Sequence, residues 1–264
     1  MARPCATKPM IPYEPRPNPS KVNFGGSRPF RDFFVLSVGL AACVVLIYWL
    51  LGLAVDLGAP YVSPQLEIRL GRAFNAAYLD QEDRAASRRL QPVLDELVRG
   101  LPLSARRFDY HLVVSNERTV NAVALPGGTI LVYRGLLDKL DFEAELSFVL
   151  AHELGHFYHR DHLKGLGRGL LVMLVSLPLS GEAGFSGRHL GLIEMRFSQQ
   201  QELAADGFGL DLVRLQTGDT AGALGFMRRL ADETPGSELS YYFASHPHPG
   251  LRLARLEARL REKP

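Results

Sequence analysis

Ala151-His152-Glu153-Leu154-Gly155-His156 decides how this chain is read. Two imidazoles four residues apart on a helix lie one turn apart on one face, with Cβ atoms about 5 to 6 Å apart. Metal–nitrogen bonds of about 2.0 to 2.1 Å let such a pair grip one ion. Glu153 stands within reach of a water on that ion; the metal makes the water more acidic, and the carboxylate can take its proton. The flanking Phe148-Val149-Leu150 and Phe157 make this a buried helix. Two histidines and a carboxylate would be costly there without partners. The stretch therefore predicts a metal centre with His152 and His156 as ligands and Glu153 as general base.

Asp141 is placed to cap the motif helix, with Glu143 and Glu145 in the first turn, where the helix dipole favours acids. Upstream the apolar period changes to two, and residues 108–114, 119–125 and 129–133 read as three strands, the last two joined by Pro126-Gly127-Gly128. Such a sheet has an edge, and an edge beside a metal helix can hold an extended peptide through main-chain hydrogen bonds. Asn121, Ala122, Val123 and Ala124, running on to Leu125, are the expected substrate-binding stretch; a covered edge is the competing reading. Ser63-Pro64 opens a helix with Leu66, Leu70, Ala73, Phe74 and Ala77 at helical spacing. Leu90, Val93, Leu94 and Leu97 mark a second helix ending near Gly100, and both stripes read as core. Arg84, Arg88 and Arg89 read as a solvated face or, alternatively, as a lipid-headgroup site.

Downstream, a third ligand six residues after His156 would fall on His162. That geometry needs a glycine where His159 stands, so both histidines read as rim or surface residues. The apolar run at 170–179 is too short to span a bilayer, and reads either as a buried helix or as a flap touching the membrane or the cleft. The third ligand is expected from a separate helix, and Gln201-Glu202-Leu203-Ala204-Ala205-Asp206 offers Glu202, with Glu194 as its competitor. Asp206, one turn on, is placed to accept a hydrogen bond from a ligand histidine and fix its tautomer.

At the N-terminal end, residues 1–31 are rich in proline, without periodicity, and lean basic (Arg3, Lys8, Arg16, Lys21, Arg28 and Arg31 against Glu14). They are expected to form a disordered tail. The cations are scattered rather than clustered, which speaks against a nucleic-acid partner, and the net charge of +2 says little about others. From Phe33 to Val55 the chain runs 23 residues without a charge, enough at about 1.5 Å per residue to cross a hydrocarbon core of about 30 Å. Residues 32–56 are thus expected to be one membrane anchor, with Tyr48 and Trp49 in its second half. The cations on its N-terminal side put the tail in the cytoplasm and everything after Asp56 outside. Leu40-Ala41-Ala42-Cys43 resembles a lipoprotein cleavage box, and lipidation at Cys43 is the alternative to an uncleaved anchor. With Cys5 in the tail and Cys43 in the apolar segment no disulfide framework is expected, so the domain over residues 60–264 must stand on its core.

The motif 151–156, Gln201-Glu202 with Ala205-Asp206, and Ser245-His246-Pro247 followed by Arg252 are preceded by Asn121-Ala122, Leu125-Pro126-Gly127-Gly128 and Gly135-Leu136-Leu137. Together they resemble the HtpX-like branch of the gluzincin metallopeptidases, a group that includes CAAX prenyl proteases and bacterial envelope quality-control proteases. The likeness covers roughly residues 60–258. It implies an α+β, mainly α, zincin-like metallopeptidase domain with a small antiparallel sheet, here preceded by one transmembrane helix. It also implies a single zinc ion on His152, His156 and Glu202, Glu153 as general base, and Asp206 behind a ligand. The activity implied is hydrolysis of peptide bonds in misfolded or membrane proteins of the cell envelope. His246 and Arg252 match the family's C-terminal motif, His246 either as a donor to the oxyanion or as the occupant of the open zinc position at rest. The single span departs from the multi-span members and favours an outer catalytic domain. A membrane-tethered, chaperone-like binding module with a structural zinc site is the competing expectation; it would need four protein ligands, where the sequence offers three and one optional histidine.

Overall fold

A computed structural model of the protein describes residues 29–79, 81–141, 143–169, 197–232, 242 and 245–262. Residues 1–28 of the expected tail over 1–31, the apolar run at 170–179 and Glu194 lie outside the described residues, while residues 29–31 of that tail are helical. In chain order, α1 (Pro29–Gly58), a 3-10 turn (Ala59–Tyr61), α2 (Pro64–Leu79) and α3 (Arg84–Arg99) come first. Strands β1 (His111–Ser115), β2 (Ala122–Leu125) and β3 (Thr129–Tyr133) follow, then the short α4 (Arg134–Leu137) and α5 (Glu143–His159). A helical stretch over residues 161–169, α6 (Gln199–Gln216), α7 (Ala221–Asp232) and α8 (Pro249–Glu262) complete the order.

The metal motif lies on α5, which is buried without interruption from Glu145 to Phe157. It packs against α6, α7, α3 and β2, and Phe148, Val149, Leu150 and Leu154 join the main core. At its start Asp141 N–H donates to Glu145 Oε2 (2.8 Å). Glu145 is itself buried and takes two N–H groups of Arg229 at 2.6 Å each.

Strand order is β1-β3-β2. β2 pairs antiparallel with β3, from Ala122 opposite Val132 to Leu125 opposite Thr129, and β1 pairs parallel with β3, from His111 opposite Thr129 to Ser115 opposite Tyr133. The sheet is therefore mixed rather than wholly antiparallel. The tight turn at Gly127 and Gly128, both at positive φ (85° and 95°), folds β2 onto β3, so β1 is left the far side of β3. β1 also starts three residues later than expected, because Phe108 leaves the ladder to pack its ring on Tyr110 and Phe157 (centroids 5.9 and 6.1 Å). β2 begins at Ala122 rather than residue 119.

α3 matches its sequence signals: Asp83 accepts the N–H groups of Ala85 and Ala86 at 3.1 and 3.0 Å, Leu94 and Leu97 are buried, and Gly100 ends the helix. Arg84, Arg88 and Arg89 are exposed, as a solvated face requires. α2 departs from its apolar stripe at Leu66, while Leu70 is half-buried. Leu66 is 48 % exposed while Glu67 is fully buried, so α2 turns a carboxylate inward. The side chains of Ala73, Phe74 and Ala77 lie outside the described residues. α1 is a helix long and apolar enough to cross a membrane. It starts at Pro29, three residues before the expected anchor, since proline at a first helical position costs no hydrogen bond.

The crossing of α5 and α6 is close because small residues face each other. A Cβ on Gly155 would lie 2.9 Å from Ala205 Cα, and one on Gly209 would lie 3.0 Å from His152 N. Gly155→Val is therefore expected to lower stability by about 1–3 kcal/mol through forced separation of the two helices. The denaturant midpoint of the detergent-solubilised protein measures this, and an unchanged midpoint would show that the crossing is not tight.

Candidate metal centre

α5 supplies His152, Glu153 and His156, α6 supplies Glu202 and Asp206, and α8 supplies Arg252. Periodicity explains each pair: residues four apart lie one turn apart on one face. A capping box fixes the first turn of α6, with Ser198 Oγ accepting from Gln201 N–H (3.3 Å) and Gln201 Oε1 from Ser198 N–H (2.8 Å). His246 sits in the turn before α8. Its N–H donates to Tyr242 O (2.9 Å), its ring stacks on Tyr242 (centroids 4.5 Å), and the neighbouring Ser245 hydroxyl donates to Asn121 Oδ1 (3.2 Å).

The donor atoms of His152, His156, Glu202 and His246 all lie within 4.8 Å of one another, and all four residues are buried. His156 Nε2 is 3.1 Å from His152 Nε2 and 3.4 Å from Glu202 Oε1, and His152 Nε2 is 3.6 Å from Glu202 Oε2. Four donors placed tetrahedrally at about 2.0 to 2.1 Å from one ion stand about 3.3 Å apart, which is the spacing found. His246 Nδ1 completes the set at 3.2 Å from His152 Nε2 and 3.0 Å from Glu202 Oε1.

Behind the ligands the rings are oriented. His152 Nδ1–H donates to Asp206 Oδ1 (2.9 Å), and His156 Nδ1 lies 3.4 Å from Asp161 Oδ2. Both ε nitrogens thus point at each other, and with each Nδ1 proton directed at a carboxylate the two lone pairs converge, which a proton or a metal cation between them relieves. Without metal a proton fills that role. Burial alone would lower the His156 pKa, but the hydrogen bonds to Asp161 and Glu202 outweigh it and push it up to about 9, whereas burial keeps His152 below its usual range.

Charge balance points the same way. The buried carboxylates Glu153, Glu202 and Asp206 face one guanidinium, Arg252, an excess of two negative charges that a divalent cation would neutralise. Arg252 Nε–H and Nη2–H fork the two Asp206 oxygens at 2.7 Å each, and Nη1 lies 2.6 Å from Glu202 Oε2. Burial alone would raise the Asp206 pKa; the Arg252 charge and hydrogen bonds overcome this and hold it at about 2. Glu153 differs from both. Each of its oxygens is buried without a hydrogen-bond partner among the described residues, and Oε1 is 3.7 Å from His246 Nε2. A bare carboxylate beside the metal place is poised to accept a proton.

All seven candidates of the metal centre, His152, Glu153, His156, Glu202, Asp206, His246 and Arg252, therefore meet at one place. Of the expected substrate stretch, Ala122 and Ala124 are fully buried, Asn121 and Val123 are half-buried, and β2 is an edge strand with β3 as its partner among the described residues. His162 is not a rim residue: it is buried, with Nε2 2.6 Å from Glu67 Oε1. His159 is only half-buried. Sequence reasoning missed Asp161, which supports His156, and Phe197, which stacks on the His156 ring (centroids 3.8 Å). No helical spacing rule leads to them, because Asp161 follows the break at Arg160 and Phe197 lies outside α6, two residues before its start.

The profile described as Peptidase family M48 matches residues 84–260. The chain is similar to the beta-barrel assembly-enhancing protease of Yersinia pestis, 27 % identical over 164 residues, which cover 56 % of this chain and 34 % of that protein. It is similar to the mitochondrial metalloendopeptidase OMA1 of Schizosaccharomyces pombe, 28 % identical over 247 residues, covering 81 % of this chain and 72 % of that one. With the metalloprotease LoiP of Escherichia coli it shares 28 % identity over 183 residues, 66 % of this chain and 70 % of that one. The chain thus spans about a third of the first relative and about seven-tenths of the other two.

Arg252→Met would leave the buried Glu202 and Asp206 with their histidine contacts but without their guanidinium, and is expected to destabilise the metal-free protein by about 3–5 kcal/mol. Chemical denaturation in the presence of chelator reads this, and a variant as stable as the parent would show that the guanidinium does not balance the site.

Proposed function

The chain belongs to peptidase family M48, and we propose from that premise that it is a membrane-anchored zinc metalloendopeptidase that cleaves misfolded or membrane proteins of the cell envelope. One observation carries the proposal: Glu153 stands buried, without a hydrogen-bond partner among the described residues, beside two histidines and a glutamate at tetrahedral spacing. Zinc is the ion this donor set suits, since imidazole and carboxylate in fourfold arrangement are its usual catalytic ligands. His152, His156 and Glu202 would hold it. When bound, the ion supplies Lewis acidity, polarising a carbonyl and acidifying water.

The chain's own groups do the rest. Glu153 takes the proton of the attacking water and passes it to the leaving amine nitrogen. Asp206 and Arg252 keep His152 and Glu202 in place. His246, with Nδ1 3.2 Å from His152 Nε2 and 3.0 Å from Glu202 Oε1, would fill the fourth position of a resting site, and donation to the oxyanion would require its ring to move. An extended substrate would add to the edge of β2 that faces away from β3 and has no strand partner among the described residues, within the stretch Asn121 to Ala124. In that stretch the Asn121 carbonyl is already taken by Tyr133 N–H and the Ala122 N–H by Asn121 Oδ1. α1 would anchor the enzyme, with the cations that precede it on the cytoplasmic side and the catalytic domain outside.

A second reading keeps one supporting observation. Four protein donors lie within reach of one ion, as in closed structural zinc sites, which suits a tethered chaperone-like module. A structural site has no use for a buried Glu153 without a hydrogen-bond partner among the described residues. Cleavage of unfolded casein separates the two readings. The wild-type protein is expected to cleave it, to stop on chelation and to recover with zinc, and Glu153→Gln is expected to cleave about 10²- to 10⁴-fold more slowly with zinc content unchanged. A Glu153→Gln protein as active as the parent would remove the general base.

A further inference from the structure

We propose that the turn Arg160-Asp161-His162 is a positioning unit for the second imidazole of the site, holding His156 through Asp161 and fastening it, through Arg160, His162 and Glu67, to the chain that follows the apolar helix. The proposal rests on the metal site described above. α5 ends at His159, and Arg160 adopts φ 59°, the left-handed region where glycine or asparagine usually ends a helix. Glycine there would end α5 without strain. The arginine conformation persists because its surroundings hold it: Nη1–H donates to Pro60 O at 2.7 Å, and Nη2–H donates to Val62 O at 2.7 Å and Glu67 Oε2 at 2.9 Å.

The reversal at Arg160 brings the next carboxylate back beneath the helix. Asp161 Oδ2 faces His156 Nδ1, while its Oδ1 accepts from Gln201 Nε2–H at 2.8 Å and from Lys164 Nζ–H at 2.9 Å. His162 closes the unit, with Nε2 on Glu67 Oε1 and Nδ1 3.3 Å from the His156 carbonyl oxygen. Glu67, fully buried, thereby joins α2 to the turn with both its oxygens. The stretch that follows is fastened as well. Arg168 pairs with Asp56, and a Cβ on Gly167 would come within 2.5 Å of Val55.

The contact behind His156 is longer than the one behind His152, 3.4 against 2.9 Å, and so has less margin. A small shift of Asp161 loses it. The residues leaving the apolar helix and the orientation of a metal ligand are thus parts of one hydrogen-bonded unit, and Asp161, Arg160 and Glu67 are positioning residues rather than catalytic ones.

Zinc affinity of the full chain in detergent, measured by competition with a chelator, is the readout. Asp161→Asn is expected to weaken it about 10- to 100-fold, and Glu67→Gln about 3- to 10-fold although its partners are Arg160 and His162. Arg160→Lys, which keeps a charge on Glu67 but loses the fork across Pro60 and Val62, is expected to match Glu67→Gln and replaces it should that variant not fold. Arg229→Lys weakens the Glu145 ion pair on the same helix and is expected to lower the melting temperature without changing zinc affinity. Glu67→Gln and Arg160→Lys proteins that melt lower yet bind zinc within about twofold of wild type would overturn the proposal. A wild-type chain that binds no zinc would instead defeat the metal site itself.

Discussion

Two imidazole nitrogens face each other across 3.1 Å in a buried site, each ring backed by a carboxylate on its other nitrogen. Their lone pairs converge on a place for a proton or a metal ion, and the rest of the domain is arranged around that place. Asp206 and Asp161 hold the rings so that their ε nitrogens converge, and Glu202 brings negative charge to the same point. One guanidinium, Arg252, offsets part of the carboxylate charge. The remainder is what a divalent ion would neutralise, and a buried site with this imbalance is hard to explain otherwise.

The scaffold brings these groups together by a close helix crossing. Gly155 and Gly209 let the backbones of α5 and α6 approach until Glu202 and Asp206 reach the histidines. α8 then closes the far side with Arg252, and the turn before it seats His246 between Tyr242 and the ligands. Ser245 links that turn to Asn121 just before β2, so a hydrogen bond ties the turn carrying the fourth donor to the stretch proposed for substrate.

Much of this was legible in the sequence because it follows helical arithmetic. His152 with His156, and Glu202 with Asp206, are residues four apart, and a helix makes neighbours of such pairs whatever surrounds it. α3 was equally plain, with Asp83 before it, Gly100 after it and leucines between. The sheet sense was not legible, since β1 could pair on either side of β3 and only the path of residues 116–121 decides. α2 misled because its apolar spacing outvoted one glutamate, and that glutamate proved to be the inward residue. Asp161 and His162 were hidden by Arg160: a helix that reverses on arginine carries no glycine to mark the turn.

The claim at the centre of this account is an ion held by His152, His156 and Glu202. X-ray absorption at the zinc edge, with metal analysis of the purified chain, tests it most directly. The account predicts a single zinc per chain surrounded only by nitrogen and oxygen at about 2.0 to 2.1 Å, with the scattering signature of imidazole. A protein that takes up no stoichiometric metal, or whose metal has sulfur among its neighbours, would contradict it.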